Sequence, residues 1–93
     1  MAKFVIKKDE TKEPFDAGKI KNAIAAAAQE TNLSEERKNE VVEQVAAAVI
    51  QMAEGKDEIA TSEIRENILK ELDSVEPSVS GAWRKYEQDK ERI

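Results

Sequence analysis

Ninety-three residues can bury one modest hydrophobic core but not two, so residues 1–93 are expected to form a single domain. The chain has no cysteine and no histidine, which excludes disulfides, thiolate zinc sites, nucleophilic thiols and imidazole bases, and with them most enzyme classes. A net charge of -5 opposes the positive surface on which general nucleic-acid affinity depends, so nucleic acid is not expected as a partner.

No apolar run reaches the roughly 18 residues that a membrane helix needs, and the opening MAKFVIKKDE carries charges where a signal peptide requires apolar residues. No membrane association is expected, and the cytoplasm is the expected location. The charge is unevenly spread: residues 1–22 hold six lysines against four acidic residues, an excess of two, so the remainder carries -7. A locally basic end on an acidic body suits one small anion better than a polyanion. The same lysines would also serve as a solvated edge that discourages strand aggregation.

Phe4, Val5 and Ile6 have strand character, and the charged segment KKDETKE followed by Pro14-Phe15 predicts a short hairpin with a polar turn. Period-2 alternation places Phe4 and Ile6 on one face and Val5 and Lys7 on the other. Asp16 has the short acceptor of an N-cap. Beyond it Ile20, Ala23, Ile24 and Ala27 follow the i, i+3, i+4, i+7 pattern, which predicts a first helix from Ala17 to Thr31 with Lys19 in its first turn.

Ser34 is a second cap, and Val41, Val42, Val45, Val49 and Met52 form the stripe of a second and longest helix ending at Gly55. The alanine runs beginning at Ala25 and Ala46 predict closely approaching helices. Glu58-Ile59-Ala60 is a short extended candidate. Thr61 or Ser62 caps a third helix that buries Ile64, Ile68, Leu69 and Leu72, and Pro77 starts a fourth with Val79, Ala82, Trp83 and Tyr86 on its core side. These lengths leave no room for a parallel sheet. The fold class is mainly α with minor β, an N-terminal β-hairpin packed on four helices.

No Gly-rich phosphate loop is present: Gly18, Gly55 and Gly81 are scattered. Glu35, Glu36, Glu40 and Glu43 are explained by a solvated helix face, so no carboxylate active site is read from them. Any phosphate grip must come from lysines and helix starts, with Lys7, Lys8 and Lys19 converging if the hairpin folds back onto the first helix. Lys19 opposes the helix dipole in that first turn, a local conflict of the kind found at binding sites.

The segment VIKKDETKEPFDAGKIKNAI, Val5 to Ile24, resembles the opening of the ATP-cone, a regulatory nucleotide-binding domain of many ribonucleotide reductases and related regulators. The later segments Ile59 to Ile64 and Ala82-Trp83 with Tyr86 are similar to that family's third and last helices. The resemblance implies a non-catalytic domain that binds ATP or dATP, with Mg2+, between hairpin and helices, and so biases oligomerisation or a partner's activity. The partners it implies are the nucleotide itself, a second copy of the chain, or a ribonucleotide-reductase-related protein.

Carried over by position, Val5 and Ile20 contact the base or sugar. Lys7, Lys8 and Lys19 hold the phosphates, and Glu13 and Asp16 meet polar parts of the nucleotide or the loop itself. Thr61, Ile64 and Arg65 close the pocket from the third helix. Two positions depart from the family pattern. Glu10 stands where a turn glycine is usual, which is expected to alter or loosen the turn, and Glu87 stands where the last helix usually carries arginine. These departures leave open a second reading, a helical interaction domain of the same fold that has lost its ligand. The 93 residues hold neither a reductase catalytic domain nor a Cys-rich zinc ribbon, and so fit a free-standing cone or an excised domain.

Overall fold

The structure, a computed structural model, describes residues 3–91, with side chains through residue 88. Among these residues the elements run β1 (Phe4–Ile6), β2 (Lys12–Pro14), α1 (Ala17–Gln29), α2 (Glu35–Ala53), β3 (Glu58–Ala60), α3 (Thr61–Val75) and α4 (Pro77–Glu91). This is a mainly α fold with minor β. Helices α1 to α4 close a ring in which each packs against two others.

The hairpin forms in the expected place, with Val5 opposite Glu13 and Ile6 opposite Lys12. Its three-residue loop is the form that ends in a left-handed residue: Lys7 N–H donates to Thr11 O, and Glu10 N–H donates to Lys7 O, both at 2.9 Å. Glu10 is that residue, with φ 68°. The turn is therefore not loosened by the missing glycine; a glutamate is held in glycine's conformation. Asp9 Oδ1 helps by accepting from Thr11 N–H at 3.0 Å. A left-handed L-residue costs about 1–2 kcal/mol, part of which glycine returns as chain entropy. Glu10→Gly is thus expected to stabilise the fold by roughly 0.5–1 kcal/mol, seen as a Tm raised by a few degrees; an unchanged or lower Tm would contradict a strained turn.

One expectation fails. The sheet has three strands in the order β2-β1-β3, and β3 runs parallel to β1, with Val5 beside Ile59. A parallel pair needs a long crossover, and here α1 and α2 together supply it. Because the strands have only three residues each, the sequence between cap signals has room for them after all. On the outer face Lys12 and Glu58 pair at 2.7 Å on either side of β1. Val5 packs against the helical core, and Ile59 is buried.

Asp16 caps α1, its Oδ1 accepting from Gly18 N–H at 2.9 Å, and Ser34 caps α2 by accepting from Arg37 N–H at 3.1 Å. A Cβ at position 18 would come within 3.1 Å of that Asp16 oxygen, so glycine there leaves the cap uncrowded. The core joins Ile20, Ile24, Ala27 and Ala28 of α1 to Val41, Val45, Ala46 and Val49 of α2, Ile64, Ile68 and Leu72 of α3, and Val79 of α4. Ala27 and Ala28 of α1 and Ala46 of α2, from the two alanine runs, are all buried in this core.

Arg37 ties α2 to the end of α3, donating to Glu76 Oε1 at 3.1 Å and to the Val75 carbonyl at 3.0 Å, which gives a terminal helix carbonyl a partner. Two other expectations are corrected. Neither Thr61 nor Ser62 caps α3: β3 runs straight into the helix, the cap position is Ala60, and no side chain caps it. Tyr86 is not core but 65% exposed, because the facing residues of α1, Ala23, Ala26 and Ala27, are too small to reach it.

Arg84 of α4 clasps Asp73 of α3 through two contacts of 2.9 Å. The Arg84 guanidinium, aided by the Ser80 hydroxyl, lowers the Asp73 carboxyl from its ordinary 3.8 to about 2. A depressed acid stabilises the fold above its unfolded value and ceases to do so as pH falls through the folded one. The stability difference between the parent chain and Asp73→Asn is therefore expected to be full at pH 5 and to shrink between pH 4 and pH 2. Thermal unfolding across that range checks it, and a constant difference would contradict it.

Candidate functional site

Where β1, β2 and the starts of α1 and α3 meet, a cleft of about 240 Å³ is lined by Val5, Glu13, Phe15, Asp16, Lys19, Ile20, Thr61, Ile64, Arg65 and Trp83, among others. Lys7, Lys8 and Asp9 of the hairpin turn line an open depression of about 480 Å³, and Thr61 borders both. All ten residues singled out in the sequence thus lie along one continuous surface. Its floor is apolar, from Val5, Ile20 and Ile64. Its margin is basic, from Lys7, Lys8, Lys19 and Arg65.

Each position follows from local structure. Alternation turns Val5 and Glu13, which face each other across the hairpin, toward the helices. The Asp16 cap starts α1 one residue later and so sets Lys19 and Ile20 in its first turn; no acidic residue shares that turn with Lys19. The uncapped start of α3 leaves its first-turn N–H groups without a side-chain acceptor beside Thr61. Asp16 holds the cap through Oδ1 and also lines the cleft.

Two cations of the basic margin, Lys7 and Arg65, have carboxylate partners. Lys7 Nζ lies 2.7 Å from Glu13 Oε1. That carboxylate raises the Lys7 ammonium above its usual value, and Lys7 in turn lowers Glu13, with the charge of Lys19 adding in the same direction. Arg65 is engaged by Glu87 of α4, 2.6 Å from each carboxylate oxygen. Among the described residues the buried Trp83 indole Nε1 has no hydrogen-bond partner; it faces Glu87 closely enough to favour the ionised carboxylate, but the contact falls short of hydrogen-bond geometry.

Several further residues line the cleft. Ala23 and Ile68 follow Ile20 and Ile64 at helical spacing, so that periodicity carries enough signal to find them. Trp83, expected in the core, does pack there, partly buried, and also forms a wall of the cleft. Glu87, marked in the sequence only as a departure from the family pattern, lines the adjoining hollow and not the cleft, and its partner Arg65 lies on another helix. Two further depressions are larger than the cleft but chemically less apt. One of about 440 Å³ between α1 and α2 has a single lysine, Lys21, already paired with Glu43 at 3.6 Å. One of about 380 Å³ between α1 and α4 is lined by alanines, Trp83, Tyr86 and two glutamates, with no cation.

The family model of the ATP cone domain matches residues 3–92, nearly the whole chain. The chain belongs to the ATP-cone family. Curated relatives include the transcriptional repressor NrdR of Caldicellulosiruptor saccharolyticus, 37% identical over 73% of this chain and 43% of the relative. The NrdR repressors of Caldicellulosiruptor bescii and of Lactobacillus delbrueckii subsp. bulgaricus are 33% and 36% identical, each over 77% of this cone and 46% and 45% of their own length. The cone spans less than half the length of these relatives.

These relatives correct one expectation. Net charge argues against nucleic acid as a partner, yet proteins similar to this cone are repressors of transcription. The charge of 93 residues describes their own surface only, whereas more than half of each relative lies outside the matched region. As for membranes, no helix among the described residues is long and apolar enough to cross one.

Proposed function

We propose that this cone is a non-catalytic regulatory domain that binds ATP or dATP in the cleft between hairpin, α1 and α3, and that binding biases its self-association or the activity of a partner. The observation that carries the reading is the basic margin of Lys7, Lys8, Lys19 and Arg65 around an apolar floor, beside an uncapped helix start. Val5, Ile20 and Ile64 meet the base or sugar, the cations and first-turn N–H groups meet the phosphates, and Glu13 sits beside them. Among the described residues no cluster of three acidic side chains forms a metal site, so Mg2+ would arrive on the phosphates with its waters. Because the relatives are transcriptional repressors, the regulated process in this reading is transcription, with the nucleotide state of the cone setting the assembly of the repressor.

Isothermal titration with ATP, dATP, ADP and GTP in the presence of Mg2+ tests it. Saturable binding of an adenine nucleotide at or below millimolar concentration is expected, weakened at least about tenfold in the Lys7→Ala/Lys19→Ala variant, since each lysine near a phosphate contributes about 1 kcal/mol or more. Absence of binding, or equal binding by the variant, would overturn the site. The second reading, a cone that serves interaction alone, is favoured by one observation: Lys7 and Arg65 already have carboxylate partners. Flat titrations combined with a mass that rises with concentration would establish it.

A further inference from the structure

Arg65 of α3 and Glu87 of α4 form a two-pronged ion pair, Nε to Oε2 and Nη2 to Oε1, each at 2.6 Å. This is the fork a guanidinium offers to a phosphate, here filled by a carboxylate. Arg65 lines the cleft, and Glu87 lies at the adjoining hollow between α1 and α4. The Glu87 carboxyl is held below its usual range, first by its hydrogen bonds from Arg65 and then by the Trp83 indole and the charges of Arg65 and Lys8, against the opposing effect of burial. Several groups that favour an anion therefore converge on one carboxylate at the edge of the cleft.

We infer that Glu87 is an internal competitor of the nucleotide's phosphates for Arg65. This rests on the nucleotide reading above. The phosphates gain the full Arg65 fork only when the α3–α4 tie opens, and Glu87, once released, stands as a negative charge beside them. Both effects lower affinity, and both grow with the charge of the ligand. The competition also couples the ligand to the seating of α4: whatever holds α4 against α3 weakens binding, and binding loosens that tie, as reciprocity requires.

The test is calorimetric titration of the full chain and of Glu87→Gln with ATP, ADP and adenosine, with circular dichroism to confirm folding and Glu87→Ala as a second variant. Removing the competitor is expected to tighten ATP binding about fivefold to tenfold, ADP less and adenosine not at all. In an Arg65→Ala background the gain should shrink or vanish, because the two residues act as one unit. A merely structural tie would move all three ligands together or none. If the parent chain binds ATP and both Glu87 variants bind it equally or more weakly, the competitor is refuted and the nucleotide site stands. An equal gain for adenosine refutes it as well. If neither the parent nor either variant binds at millimolar ATP, the nucleotide reading falls and the competitor with it. Binding by the variants where the parent shows none would support a competitor strong enough to mask the site.

Discussion

A Lys19→Glu variant is expected to lose affinity for ATP by on the order of a hundredfold, while unfolding at the same or a slightly higher temperature than the parent. The two effects have different origins. A unit charge about 4 Å from a phosphate is worth about 1 kcal/mol in bulk water and about 4 at an effective dielectric of 20, and reversal roughly doubles the change. Stability moves the other way, because Lys19 sits in the first turn of α1, where no acidic residue meets the positive end of the helix dipole. A glutamate there gains about 0.3–1 kcal/mol, reduced by repulsion from Glu13 in the same cleft. Titration paired with thermal unfolding reads both. Loss of affinity together with loss of stability would show that Lys19 supports the fold and not the ligand; unchanged affinity would remove it from the site.

Leu72→Ala is expected to have the largest effect on the fold, about 3 kcal/mol of destabilisation within the 2–5 kcal/mol seen for such truncations. Leu72 is fully buried in α3, within the core that joins all four helices. The loss combines transfer of its methyl groups with the cavity they leave, and a ring of helices closed on itself has little freedom to collapse around it. For a chain of this size, stability is on the order of 5–15 kcal/mol, so the midpoint should fall by roughly 10–20 °C. Phe4→Ala serves as the contrast. Phe4 is also large and apolar but 43% exposed on the outer face of the sheet, and its loss should cost less than about 1 kcal/mol. Comparable losses at the two positions would mean that the core does not lie among the helices.

What was legible in the sequence was local. Asp16 and Ser34 reach only two or three residues ahead, so their caps, and with them the starts of α1 and α2, could be read from residue type and spacing alone. The buried stripe of α3 was equally plain in its period. The partner of β3 was not, because nothing in Glu58-Ile59-Ala60 names β1 as its neighbour; that pairing is set by how α1 and α2 carry the chain back. At Thr61 a hydroxyl before an apolar stripe resembles a cap, whereas the strand continues into the helix and leaves Thr61 as its first residue. Tyr86 shares helical spacing with Val79 and Trp83, but spacing cannot show that the opposing face is alanine. The Arg65–Glu87 pair joins residues 22 positions apart on two helices, and only their packing brings them together. Glu10 shows the reverse limit: its type argued against a tight turn, yet the backbone hydrogen bonds of the hairpin hold it at φ 68°.

Amide chemical-shift mapping during an ATP titration locates the nucleotide on the cone directly. The expected result is that the largest shifts fall on Val5, Lys7, Lys8, Lys19, Ile20, Thr61, Ile64 and Arg65, with the α1–α2 groove around Glu43 and Ile50 unmoved. Shifts confined to that groove or to the Ala26–Tyr86 hollow, or no saturable shifts at millimolar ATP, would contradict it.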